Sequence, residues 1–350
     1  MVQERANAAP CVSVRVPAKV NLFLSVRGRR PDGFHELVTV FQSVSVFDRV
    51  RAGIVGPPGQ GHHPAARRRM RVALWHDAGE TIPSGAENLA VQAARALGDA
   101  AGVMDLAFVD ARALQRPDPE VDHAAPPYTV LDLRKSIPVG AGMAGGSADA
   151  AATLVALNEL WACDLSRDDL RTVGADLGSD VPFLVVGGTA LATGRGTAFA
   201  QVLCRGSFHW VVCMAEKPLA TADVYRSWDR CCRVNEVQPD AVVQALRSTD
   251  AEALGAALHN DLEPAAFALR PELEERKQAL LDAGALGVVL AGSGPTLLAL
   301  TADHAASVAL AERVDDFGLE PIIARSPAGG PRVTPVQPIT DSPTLSRTLE

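Results

Sequence analysis

Residues 136–161, SIPVGAGMAGGSADAAATLVALNELW, constrain this chain more than any other stretch. The first half is a glycine-rich turn and the second half reads as a helix. Gly140, Gly142, Gly145 and Gly146 fall within seven residues, and a backbone without Cβ atoms lets N–H groups approach an anion closely. The helix that follows aims the positive end of its dipole at the same place. Ser147 opens that helix with a hydroxyl suited to a phosphate or a Mg²⁺ ion. Leu154, Leu157 and Trp161 give it a core-facing stripe.

Two phosphate-binding devices share parts of this pattern, and neither fits. Gly140, Gly142 and Gly145 satisfy G-x-G-x-x-G, the dinucleotide fingerprint. That fingerprint also needs a second strand ending in Asp or Glu about 20 residues on. Here a second helix follows instead, with Ser166 as N-cap and Asp169 in its first turn. A Walker A loop needs Gly-Lys before Ser or Thr, and the sequence holds no Gly-Lys pair. The cation for phosphate chemistry therefore has to come from elsewhere. Only Lys19, Lys135, Lys217 and Lys277 are available, because arginine supplies nearly all the positive charge. A lysine kept in so arginine-rich a chain points to a need for a compact ammonium.

The remaining sequence frames this loop. The 350 residues, 47% of them hydrophobic, suffice for one large or two ordinary domains. A net charge of -8 argues against a nucleic-acid or anionic-membrane partner. The one basic cluster, RRRMR at 67–71, adjoins a Gly/Pro/His-rich segment and reads as a solvated loop. Six scattered cysteines without C-x-x-C spacing fit a reducing cytoplasm. No apolar run is long enough to suggest a membrane span, and the first ten residues lack a signal-peptide core.

Alternating apolar residues over 11–27 predict strands broken at Pro17-Ala18-Lys19, and GRRPDGFH (28–35) is turn chemistry. A return strand follows, then a flexible insertion at 53–71, a strand at RVALWH, a helix over 83–102 and a strand at LAFVDARAL. Residues 116–127 read as a Pro- and acid-rich loop before the strand YTVLDLRKSIP. Beyond the second helix, SDVPFLVVGGTALATG predicts a loop, a buried strand and a turn. From about 200 the pattern restarts with the strand FHWVVCMAE and a loop, KPLATADVYRSW. Helices are expected at 237–247, 250–258 and 270–283, then a strand-turn-strand unit around AGSGPT and a helix at 303–314. The whole predicts an α+β chain: an N-terminal domain over 11–198, a C-terminal domain over 199–325 and a disordered tail over 326–350.

PVGAGMAGGSADAA resembles the phosphate-binding motif of the GHMP kinases, and two further signatures stand in the right order. VPAKVNLFLSVRGRRPDGFHEL lies near the N-terminus and LAGSGPTLLAL near the C-terminus. The first is similar to the branch of that superfamily acting on 4-diphosphocytidyl-2-C-methyl-D-erythritol, in the non-mevalonate isoprenoid pathway. The resemblance covers roughly residues 12–325. The loop departs from the commonest form at Ala141, Ala144 and Ala148-Asp149.

The resemblance implies a two-domain fold, an N-terminal ATP-binding domain like the ribosomal protein S5 domain 2 fold and a C-terminal α/β sandwich. It implies an ATP- and Mg²⁺-dependent cytoplasmic small-molecule kinase with a cytidine diphosphate derivative as acceptor. Lys19 would contact the reacting hydroxyl and the transferred phosphate, and Asp180 would be the general base. Pro138, Val139, Gly140, Ala141, Gly142, Met143, Ala144, Gly145, Gly146, Ser147 and Ala148 would cradle ATP, with Asn88 lining the adenine pocket and Ser147 facing the metal. Phe34 and Tyr225 would sandwich the cytosine and His35 would bond its edge, while Asn21 and Lys135 orient the erythritol and phosphates. Gly292, Ser293 and Gly294 would close the site around the diphosphate. Homoserine or mevalonate as acceptor, or ligand binding without turnover, are the rival readings.

Overall fold

A computed structural model describes residues 11–55, 70–102, 106–109, 128–215, 217–231, 234–315 and 321–334. Two long strands begin the chain: β1 (Cys11–Arg29) and β2 (His35–Val55). They pair antiparallel from Cys11↔Gly53 to Arg29↔His35, with register shifts at Pro17/Ala18, Asn21/Phe23 and Val26/Gly28. Pro17 has no N–H to give the ladder, so the first shift falls where pairing is already broken. Between the first two shifts, Lys19 and Asn21 sit two residues apart on the same face of the strand. The hairpin tip closes with Gly33 at φ +86° and with the Asp32 carboxylate accepting the Phe34 N–H at 3.1 Å.

Next come β3 (Met70–His76), α1 (Leu89–Ala100), β4 (Leu106–Val109) and β5 (Tyr128–Arg134). The expected insertion at 53–71 falls mainly outside the described residues, and so does the loop at 116–127. The glycine loop leads into α2 (Gly145–Leu160), followed by α3 (Arg167–Ala175). Ser166 and Asp169 form the reciprocal N-terminal box at the start of α3. The stripe foreseen on α2 is an understatement: every residue from Ala148 to Leu157 is buried, because α1, α4, β1 and β2 surround it.

Residues 181–186 correct the sequence reading. VPFLVV is a helix, α4 (Val181–Val186), rather than a buried strand, with Asp180 as its N-cap position and Pro182 in its first turn. Pro is preorganised for that place. After it come β6 (Thr189–Gly194), β7 (Ala198–Gln201) and β8 (Phe208–Cys213). KPLATADVYRSW, expected as a loop, contains most of α5 (Thr221–Cys231), which buries Val224 and Trp228 on one face.

The remainder is α6 (Asp240–Ser248), α7 (Ala251–Ala257), β9 (His259–Asn260), α8 (Glu263–Leu269), α9 (Glu272–Asp282), β10 (Gly287–Leu290), β11 (Leu297–Thr301), α10 (His304–Asp315), β12 (Pro321–Ser326) and β13 (Arg332–Thr334). The expected disorder from 326 onward is corrected as far as Thr334: β13 pairs with β1 through Val14↔Val333. Residues 335–350 lie outside the described residues.

Two sheets organise the mixed α/β fold. One runs β13-β1-β2-β5-β3-β4, with β6 on β2, β7 on β6 and β9 on β1; the other runs β10-β11-β8-β12. The first sheet thus takes β9 and β13 from the second part of the sequence. A buried polar relay joins the two sheets: Trp210 Nε1 donates to Ser326 Oγ at 2.7 Å, Ser326 Oγ to Gln42 Oε1 at 2.5 Å, and Gln42 Nε2 to Thr189 Oγ1 at 2.9 Å. Buried polar groups satisfied in this way fix one packing of the two layers.

Candidate active site

Two cavities meet at the glycine loop. The larger, about 830 Å³, is lined by Lys19, Asn21, Phe34, His35, Asp180 and Tyr225 among others. The smaller, about 390 Å³, is lined by Asn88, Lys135, Asp149 and the loop from Pro138 to Gly146, Met143 excepted. Gly142 and Ala144 line both. The loop is therefore the wall between them.

Its conformation follows from its residues. Gly142 has φ +76°, and a Cβ there would lie 2.1 Å from the Ala291 carbonyl oxygen. Only glycine lets the loop press against the second glycine turn, Gly292–Gly294. Ala144 also takes the left-handed conformation, at φ 59°, which costs an alanine about 1 kcal/mol. It is the N-cap of α2 and supplies no side-chain cap. The first N–H groups of α2 are thereby left for an anion. Met143 and Ala148 are buried and support the loop from beneath. Ser147 stands near the Gly178 backbone and forms part of neither cavity's lining.

Lys19 is tied to this loop through its own backbone, its N–H donating to the Met143 carbonyl at 3.1 Å. Its ammonium is almost wholly buried. It sits 3.1 Å from Asp180 Oδ1, 3.2 Å from Asn21 Oδ1 and 4.6 Å from the centroid of the Phe41 ring. Asn21 in turn donates to Thr39 Oγ1 at 2.8 Å, which orients its oxygen toward the lysine. Asp180 is a quarter exposed, enough to receive a proton from a ligand in the larger cavity.

Phe34 and Tyr225 line the same cavity but do not face each other as a free pair. Phe34 is 52% exposed, and the Arg195 guanidinium lies 3.7 Å above its ring. Tyr225 stacks on His35, with centroids 4.6 Å apart. Burial, and then the charge of Asp180, push the Tyr225 hydroxyl well above the usual phenol range, so it remains a neutral group. Sequence reasoning missed Arg29, Arg195, Thr221, Arg226 and Asp229, all of which line this cavity. Arg195 had a signal, since Gly194 and Gly196 flank it in a tight turn.

Lys135 departs from its expected place. It lines the smaller cavity rather than the larger. Its ammonium pairs with Asp48 and with Asp149 at 2.7 Å. Asp48 Oδ1 also accepts the N–H groups of Ser136 and Ile137, at 2.6 and 2.8 Å, so it pins the strand leaving β5 into the loop. Burial alone would lower the Lys135 ammonium, but the charges of Asp149 and Asp48 outweigh it and hold it above the ordinary lysine value. Burial pushes the Asp149 carboxyl up, and its Oδ1 is buried with no hydrogen-bond partner among the described residues. Asn88 lines the smaller cavity with its side chain engaged at both ends, accepting from the Ala90 N–H at 2.9 Å and donating to the Pro83 carbonyl at 2.7 Å.

The GHMP kinases N terminal domain matches residues 88–188 and the GHMP kinases C terminal domain matches 242–319. A 4-diphosphocytidyl-2-C-methyl-D-erythritol kinase of Salinispora arenicola is 43% identical, over 91% of this chain and 93% of that protein. The kinase of the same name from Saccharopolyspora erythraea is 41% identical, over 92% and 93%. A crystal structure of 4-(cytidine 5'-diphospho)-2C-methyl-D-erythritol kinase superposes with a TM-score of 0.70 at 30% identity, over 91% of this chain and 100% of that one. A homoserine kinase from Cytophaga hutchinsonii shares the fold, with a TM-score of 0.66 at 18% identity over 93% and 97%. The chain belongs to the GHMP kinases, in the family of the 4-diphosphocytidyl-2-C-methyl-D-erythritol kinases.

Proposed function

We propose that this protein transfers the γ-phosphoryl group of ATP to the 2-hydroxyl of 4-diphosphocytidyl-2-C-methyl-D-erythritol, in the cytoplasm, giving ADP and the 2-phosphate. One observation carries the reading above the others. The Lys19–Asp180 pair stands in the larger cavity, beside the two loop residues shared with the smaller one. A donor phosphate held by the loop and an acceptor hydroxyl held beside Asp180 would then meet at Gly142 and Ala144.

Each residue has a task in that geometry. The uncapped start of α2 and the loop N–H groups bind the anionic phosphates of ATP. Asp180 takes the proton of the attacking hydroxyl as the new P–O bond forms and the bond to ADP breaks. Lys19 pairs with Asp180 and offsets the negative charge on the transferring oxygens, where electrostatics and positioning dominate. Asn21, oriented by Thr39, holds the ammonium and presents a polar edge to the acceptor. Phe34 offers an exposed face to the cytosine and His35 a ring nitrogen to its edge, with Tyr225 backing His35.

A bound Mg²⁺ would supply positive charge to offset that of the ATP phosphates, and the Ser147 hydroxyl in the first turn of α2 would be the side chain at the helix start to hold it. Among the described residues no group of three or more His, Cys, Asp or Glu could hold a metal. No helix among the described residues is long and apolar enough to cross a membrane.

Substituting Asp180→Asn tests the base directly. The expected result is a loss in kcat of about 10²- to 10⁴-fold, with KM for both substrates changed only a few-fold. A near-wild-type kcat would remove Asp180 from that role.

A further inference from the structure

Three residues on one face of α5 enclose the His35 ring, and none of the cavity's expected binding roles accounts for the last of them. Tyr225, Trp228 and Asp229 are spaced i, i+3 and i+4, the spacing that brings helix side chains together. Tyr225 stacks on the imidazole at 4.6 Å, with an interplanar angle of 28°. Trp228 meets it edge-on at 5.7 Å and 87°. Asp229 Oδ1 lies 2.7 Å from His35 Nε2. His35 is only 9% exposed, so one helix holds the ring in a single orientation.

The Asp229 contact decides more than orientation. An ionised carboxylate can only accept a hydrogen bond, so Nε2 must carry the hydrogen. In a neutral imidazole the other nitrogen, Nδ1, is then a bare acceptor. Nδ1 has no hydrogen-bond partner among the described residues, while His35 lines the larger cavity. An acceptor fixed in this way favours a ligand edge bearing an amino group and opposes one bearing a carbonyl oxygen. The 4-amino group of cytosine is the first kind of edge, and O4 of uracil is the second.

We propose that Asp229 is a positioning and specificity residue that locks His35 in its Nε2–H form, so that the acceptor cavity takes a cytidine diphosphate group in preference to a uridine diphosphate group. The choice of base rests on the cytidylyl reading given under Proposed function. The state of the imidazole does not. The other charged groups lining this cavity are Lys19, Arg29, Asp180, Arg195 and Arg226.

Long-range ¹H–¹⁵N correlation spectra of the full-length protein labelled at histidine read the state of the ring directly, with the His35 signals assigned by their loss in His35→Gln. The wild type should show His35 with hydrogen on Nε2 alone at neutral pH. Asp229→Ala should shift it to a mixture of tautomers, and Asp229→Glu, which keeps a carboxylate that can only accept, should largely restore the wild-type pattern. In parallel, Asp229→Ala should raise KM for the cytidylyl acceptor about tenfold with kcat changed far less. It should also narrow the margin by which cytidine diphosphate outcompetes uridine diphosphate as an inhibitor, and Asp229→Glu should recover much of both. Hydrogen on Nδ1 alone, an imidazolium at neutral pH in the wild type, or a ring state unchanged in Asp229→Ala would each overturn the proposal. A protein that shows the expected ring states but turns over no cytidylyl substrate would defeat the functional reading and leave the Asp229–His35 lock standing.

Discussion

The two cavities are built in opposite ways. The smaller is walled chiefly by one short segment, Pro138 to Gly146 with Met143 excepted, together with Asn88 at the start of α1 and Lys135 just ahead of the loop. The larger is walled by side chains that β1, the hairpin tip, α4, the β6–β7 turn, α5 and the second glycine turn bring from distant parts of the sequence. A phosphate needs only N–H groups and a dipole, which a short segment provides. A hydroxyl acceptor carrying a base and a diphosphate needs stacking faces, directional hydrogen bonds and a proton acceptor, which no single segment can supply. The contrast divides binding of the common donor from selection of the particular acceptor.

The strongest way to break this division is to attack the groups that act on both sides. Lys19→Met removes the only lysine ammonium among the described residues lining the larger cavity and takes from Asp180 its ion-pair partner. ADP formation should fall by about 10³-fold or more, as loss of a preorganised transition-state contact typically does. Turnover of the purified variant against wild type checks it, and a loss below tenfold would contradict the role.

Gly142→Ala strikes the shared wall. Its Cβ would collide with the Ala291 carbonyl, and the left-handed backbone adds strain of about 1–3 kcal/mol. Stability in urea should drop by about that amount, and kcat/KM should fall for ATP and for the acceptor together. A loss confined to one substrate would mean that the loop does not divide the two cavities.

Phe34→Ala sharpens the comparison by touching the larger cavity alone. An aromatic stack is worth about 0.5–1.5 kcal/mol, so KM for the cytidylyl acceptor should rise up to about tenfold while KM for ATP stays put. An equal rise in both would undo the separation of roles.

Asp149→Asn is the matching probe of the smaller cavity, and its effect is the least. Burial raises the Asp149 carboxyl in the folded chain. Between the ordinary aspartate value of about 3.9 and the raised folded value, the folded state binds more protons than the unfolded one. Stability therefore declines as pH rises through that interval and is not recovered above it. Thermal melting across pH 4 to 8 should show a shallower decline in the variant, and an unchanged slope would show that the carboxyl is ionised throughout.

The same contrast explains what the sequence made legible. The glycine loop, its helix, the absence of Gly-Lys and the Ser166–Asp169 cap are local patterns, and the folded chain keeps all of them. Lys19 and Asp180 were named because motifs carried them, although only the fold brings them to 3.1 Å. VPFLVV was misread because an apolar, β-branched run before Gly187-Gly188 looks like a buried strand. The helix signal was Pro182 in the first turn. α5 was misread as loop, and Asp229 was lost with it, because Pro218 just upstream concealed the Val224–Trp228 spacing. Lys135 could not be assigned to the smaller cavity without its partners. Asp48 is 87 residues away, on a strand whose Arg49 and Arg51 offer it nearer partners by sequence. Residues 326–334 looked unstructured by composition, but β13 is held by pairing with β1, and β1 is distant in sequence.

The central claim is that the larger cavity is built for a cytidylyl acceptor and the smaller one for ATP. It is tested most directly by measuring ADP release with Mg²⁺-ATP against 4-diphosphocytidyl-2-C-methyl-D-erythritol, homoserine, mevalonate and galactose. The account predicts turnover with the cytidylyl compound and background rates with the other three. Turnover of homoserine or mevalonate with none of the cytidylyl compound would contradict it.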